Sequence, residues 1–232
     1  MQTTTTFLTD HPTLGGQQAV AAPSPSPQSD LDHLLRLNLF RCAVPARYGG
    51  LGGEAHELAE RMSELCQHSM SAALLFWGQR MAIEFLLQSA NGALREYLLP
   101  DLLSGERAAT VPLPMGLHRL QAQDTGRGWQ LSGQGLQAVN APPQGFSFVA
   151  PVQMGPTAGW CLLRSEEDGF DVHTSSASPS PSRAWTARID VRQVFFREDE
   201  WLGDSTLERA VHPVRMALGR VAEHLQQHVE LI

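Results

Sequence analysis

Lysine is missing altogether. All 17 basic side chains in the 232 residues are arginine, set against 24 acids for a formal charge of -7. Without lysine there is no Schiff-base chemistry and no P-loop ammonium. The arginines stand singly among acids, with no basic run or aromatic-interleaved patch to track a phosphate backbone, so nucleic acid is not an expected partner. Cysteine is scarce too. Cys42, Cys66 and Cys161 lie far apart and show no zinc-type or disulfide-type spacing, which predicts reduced, mostly buried thiols. Long apolar runs are also lacking: Met81 to Leu87 is interrupted by Glu84, and no basic segment followed by an apolar one opens the chain. No membrane span is predicted, and the expected location is the cytoplasm. Nucleophile elbow, dinucleotide fingerprint, P-loop and H-E-x-x-H are all absent. His224 and His228 form the one helical i, i+4 histidine pair, a spacing that suits a solvated helix face better than a metal site.

What is present is 42% hydrophobic residues, enough for a packed core, arranged with two different periods. Residues 1–29 are Thr-, Pro- and Ser-rich and predict a disordered tail. Residues 30–106 predict an all-helical domain. Leu31, Leu34, Leu35 and Leu37 mark a first helix, Leu58, Met62 and Leu65 a second, and Leu94, Leu98, Leu99 and Leu102 a last one ending near Ser104-Gly105. Between them, Ser71 to Gln88 is apolar apart from Gln79, Arg80 and Glu84, so a helix buried on most sides is expected. Residues 107–204 change to short β-like runs at Ala108–Leu113, Arg119–Gln123, Trp129–Leu131, Phe146–Val152, Trp160–Arg164 and Arg188–Phe196, a spacing that predicts a small antiparallel β-barrel. Residues 205–232 return to a helical stripe through Ala210, Val214, Leu218, Val221 and Leu225. The expected fold class is α+β: a helical bundle, a small barrel and the first helix of a further helical domain.

Four strings in this order resemble the acyl-CoA dehydrogenase family. Pro45 to Gly52 is similar to its P-x-x-Y-G-G-x-G loop, and Tyr97 to Glu106 to the segment entering its barrel. Leu131 to Gln134 with Asn140-Ala141 resembles its N-G-x-K-x-W-I-T-N-A hairpin, and Val194 to Gly203 the strand leaving the barrel. The resemblance runs from about residue 30 to residue 232 and implies a chain that stops before the family's C-terminal helical bundle. It also implies FAD against the barrel and α,β-dehydrogenation of an acyl-CoA thioester, with a glutamate removing the α-proton and hydride passing to the flavin. By resemblance this is an oxidoreductase acting on CH-CH groups.

The cofactor positions implied by that resemblance are Val111, Pro112, Gln137, Val139 and Asn140. Pro112 stands at the family's flavin-contacting threonine, Leu113 at the following glutamate, Gln137 at the aromatic shield, Val139 at the hydroxyl position and Gly135 at the lysine position. Leu117 and His118 replace the glycine and serine of the next motif, and Asn140 alone persists. Val214 occupies the family's alternative base position, while Glu223 and Glu230 fall further along that helix, so no catalytic residue is expected in this chain. The reading is an acyl-CoA dehydrogenase-like flavoprotein with a degraded flavin site, inactive as this chain alone. The alternative is a non-catalytic scaffold or pseudo-subunit. Expected partners are an acyl-CoA ligand and a protein partner, or a second copy, bound through the C-terminal helix, whose stripe would otherwise expose an apolar patch.

Overall fold

The computed structural model describes residues 26–116, 118–174 and 184–219. The tail, the Ser/Pro loop, Leu117, Glu223, Glu230 and the His224/His228 pair fall wholly or mostly outside them.

The helical domain forms as its periodicity predicts. Helix α1 spans Pro27–Arg36, with proline in its first turn where the missing N–H costs nothing, and buries Leu34. Leu37, expected on the same face, lies beyond the helix and is 52% exposed. Helix α2, Ala55–His68, buries Leu58, Met62 and Leu65. Helix α3, Met70–Gln88, is capped by the Ser69 hydroxyl, which accepts from the Ala72 N–H at 3.1 Å. It is buried without a break from Ser71 to Leu86, its polar residues included. Helix α4, Gly92–Ser104, starts under the Asn91 cap and stops at Gly105, whose φ of 75° gives the left-handed exit that glycine adopts freely.

Eight strands follow: β1 (Ala108–Thr110), β2 (Leu120–Asp124), β3 (Trp129–Ala138), β4 (Phe146–Met154), β5 (Thr157–Arg164), β6 (Phe170–Thr174), β7 (Ala187–Phe196) and β8 (Trp201–Asp204). Their order is β6-β7-β3-β2-β4-β5-β8, with β1 also on β4. The expected antiparallel barrel is corrected on two counts. The sheet is mixed, because β1 and β2 pair in parallel with the two halves of β4. It is also an open path with β6 and β8 as its ends, not a closed barrel. Strands β6 and β8 escaped the pattern because they are short and end in polar residues. Gly133 and Gly135, expected in a hairpin, lie in the middle of β3, the second arm of the β2–β3 hairpin, which is bulged against β7 on either side of Gly133. A Cβ on Gly133 would sit 2.6 Å from Leu120 Cδ2, and Gly135 has a φ of 72°, so both glycines serve the bulges.

Alternation along β4 and β5 separates two cores. Phe146, Phe148, Ala150, Val152, Cys161 and Leu163 pack within the curl of the sheet. Val149, Trp160 and Leu162 join the helices instead, with Trp160 and Phe85 of α3 at 4.2 Å between ring centroids. Arg107 clamps this junction. It donates to Ser147 Oγ, to the Phe146 carbonyl and through two nitrogens to the Glu166 carboxylate, both at 2.9 Å. Those bonds hold the Glu166 carboxyl below its ordinary range. A depressed folded-state value means the stabilisation is present above the ordinary carboxylate range and is lost as pH falls through the depressed value. Glu166→Gln is therefore expected to lower stability at neutral pH by about 1 kcal/mol or less, the Glu166 side chain being half exposed, and to flatten the acid limb of the stability profile. Urea unfolding between neutral pH and about pH 3 measures both.

After the sheet, α5 (Thr206–Ala210) and α6 (His212–Ala217) replace the single helix expected, with Pro213 opening α6. Their stripe is Leu207, Val211, Val214 and Leu218, all buried in the core shared with α2 and α3, while Ala210 faces out. This corrects the expectation of an uncovered patch for the part through Leu218, because α2 and α3 cover it. Val221 and Leu225 lie outside the described residues. No described helix is long and apolar enough to cross a membrane.

Candidate functional site

The five predicted cofactor positions come together where α3 meets the sheet. Gly78 makes the approach close: a Cβ there would lie 3.1 Å from both Asn140 Cβ and Thr110 Oγ1 and 3.4 Å from Val139 Cγ2. The next residue, Gln79, is 1% exposed and ties four segments to one buried point. Its Nε2 donates to the carbonyls of Leu102 at 2.8 Å and Arg107 at 2.9 Å, and its Oε1 accepts from the Ala109 N–H and from Asn140 Nδ2, both at 2.8 Å. Asn140 Nδ2 donates also to the Ala109 carbonyl at 3.0 Å. Asn140 takes a φ of 56° at the end of β3, a conformation asparagine tolerates better than most residues.

Val111, Pro112 and Leu113 continue from β1 alongside Gln137, Val139 and Asn140. The Leu113 N–H donates to the Gln137 carbonyl at 2.7 Å, and the buried Thr110 hydroxyl donates to the Val111 carbonyl at 3.3 Å. Val111, Pro112, Val139 and Asn140 are buried and Gln137 is half-buried. Of this set, three side chains are apolar and both N–H donors of Asn140 are spent inside the protein. His118 is exposed. Val214, the alternative base position, is a buried apolar residue of α6. Gln79 was the site residue that position matching missed, although a lone amide in an otherwise apolar helix signals a buried polar contact.

Burial pushes the thiols of Cys42, Cys66 and Cys161 above their ordinary range, Cys161 furthest. All three are free thiols, and none is poised as a nucleophile. Among the described residues no three His, Cys, Asp or Glu side chains gather to hold a metal ion.

Residues 18–106 match the family model described as acyl-CoA dehydrogenase, N-terminal domain. That segment is similar to the N-terminal domain of acyl-CoA dehydrogenases. Solved structures extend the likeness through the sheet. A glutaryl-CoA dehydrogenase from Mycobacterium smegmatis in complex with FADH2 is 15% identical with a TM-score of 0.71, over 83% of this chain and 52% of that one. Butyryl-CoA dehydrogenase from Megasphaera elsdenii is 16% identical with a TM-score of 0.66, over 81% of this chain and 54% of that one. The ChsE4-ChsE5 complex from Mycobacterium tuberculosis is 18% identical with a TM-score of 0.64, over 83% of this chain and 57% of that one. The chain thus has the acyl-CoA dehydrogenase fold of helices followed by a sheet, and spans about half the length of these structures. No curated protein sequence matches it.

Proposed function

We propose that this chain is a scaffold subunit of an acyl-CoA dehydrogenase-like flavoprotein, bringing neither the donors that polarise a flavin nor the base that opens dehydrogenation of an acyl-CoA thioester. The hydrogen-bond accounting at the β1 strand and the end of β3 carries the reading. A flavin ring needs N–H or O–H donors aimed at its polar edge and a wall that excludes water. Pro112 has no N–H, and that of Leu113 is committed to Gln137. The Asn140 amide is committed to Gln79 and Ala109. The side chains of Val111 and Val139 supply only apolar surface. These residues do not fit FAD by themselves.

The base is the second deficit, since the apolar Val214 cannot take a proton. A second chain that brings both would complete the reaction, and the FADH2 complex and the two-protein ChsE4-ChsE5 complex of this fold support that context. The test is turnover: the purified chain with octanoyl-CoA, FAD and an artificial electron acceptor is expected to give no enoyl-CoA. Enoyl-CoA formation by the chain alone would overturn the reading.

A further inference from the structure

The far end of β3 carries a second concave surface. Trp129 opens that strand and Ala138, beside the candidate site, closes it, so the two ends lie up to about 30 Å apart. Trp129 is the register partner of Phe196, the last residue of β7, which sets the two rings side by side on one face of the sheet. Met154 and Thr157 pair across the turn between β4 and β5. Trp201, the first residue of β8, comes to the same end: its ring centroid lies 6.4 Å from that of Phe196, with the planes 70° apart. Gly159 makes the seat for this indole, because a Cβ there would collide with it.

Together with Glu198 these side chains line a pocket of about 520 Å³, within the range of small-molecule sites. Phe196 is buried, Trp129 and Trp201 are half-buried, and Glu198 is exposed. The lining thus offers three aromatic rings, a polarisable thioether and a single formal charge, which is negative. Aromatic faces and a carboxylate attract a cation together. The chain has none of its own to place there. Lysine is absent, and the neighbouring arginines in sequence, Arg127 and Arg197, are not in the lining. Arg197 is instead committed to Glu200, Nη2 to Oε1 at 3.4 Å. Among the described residues, the arginines that stack on a ring, Arg47 and Arg95, both do so on Tyr48.

The polar inventory narrows the cation further. A primary ammonium has three N–H donors to satisfy, and the lining side chains answer with the Glu198 carboxylate and the Thr157 hydroxyl alone. A quaternary ammonium has no donor to satisfy and presents methyl groups to the rings. We propose that Trp129, Phe196, Trp201 and Glu198 form a binding site for a small ligand bearing a trimethylammonium group. The methyls pack against the rings and Met154, and Glu198 supplies the countercharge. The site is independent of flavin binding and of the scaffold reading above.

The probe is choline, with 3,3-dimethylbutan-1-ol as its neutral counterpart of the same shape, each titrated calorimetrically into the full chain. Choline is expected to bind once per chain and about tenfold tighter than the alcohol, since shape and apolar area are matched and only the charge differs. Glu198→Gln, a change at an exposed side chain, is expected to cut that preference about threefold, and Trp129→Leu to abolish it, with circular dichroism checking that both variants fold. Equal binding of the two probes, or a preference left intact by either substitution, would overturn the proposal. So would binding of neither probe, whether the pocket stays empty or a second copy of the chain covers it, the latter read as a mass that rises with concentration.

Discussion

Gln79→Leu is expected to remove a large share of the protein's net stability. The side chain has nearly the same volume, so the effect comes from polarity. Leucine leaves the Ala109 N–H, Asn140 Nδ2 and the Leu102 and Arg107 carbonyls without the partner they now share. Each buried group left unsatisfied costs about 1–3 kcal/mol, so the sum is about 4 kcal/mol or more, against a typical total of about 5–15 kcal/mol. Asn140 and Ala109 retain one bond between them, which keeps the loss toward the lower end of that range. Urea unfolding of the two proteins measures it, and a change below about 1 kcal/mol would show that water replaces the glutamine without penalty.

The neighbouring position is expected to move stability the other way. Arg80 and Glu84 are buried with poor mutual geometry, so the cost of withdrawing both charges from water is weakly repaid. Arg80→Met with Glu84→Met should raise stability by about 1–4 kcal/mol, while Arg80→Met alone leaves the Glu84 carboxylate buried without its cation and should lower it by about 3–5 kcal/mol. The three unfolding curves form a cycle whose sign is the test. A double variant less stable than the wild type would mean that the pair supports the fold by contacts other than its charge.

Much of the fold was legible because its periods are regular. Leu58, Met62 and Leu65 on α2 and the alternation of Phe146 to Val152 on β4 carry their burial in their spacing. The open, mixed order of the sheet was not legible, since no local pattern says that β1 and β2 will share one edge of β4 in parallel. Nor was the break between α5 and α6, which moved the buried stripe from Ala210 to Val211. At the candidate site, the order of motifs pointed to Val111, Pro112, Gln137, Val139 and Asn140, which the structure places side by side. It could not reveal Gln79, because a long-range hydrogen bond leaves no periodic trace. Arg80 likewise stands in the sequence as one polar exception among apolar neighbours, and only its burial without partners marks it out.

As proposed above, this chain lends the acyl-CoA dehydrogenase fold without a flavin site of its own. The direct measurement is the visible spectrum of the purified, folded chain after saturation with FAD and removal of free ligand. No bound oxidised flavin is expected, with circular dichroism confirming that the helices are intact. A retained flavin band approaching one FAD per chain would contradict it, and would mean that the spent donors around Asn140 and Leu113 open to receive the cofactor.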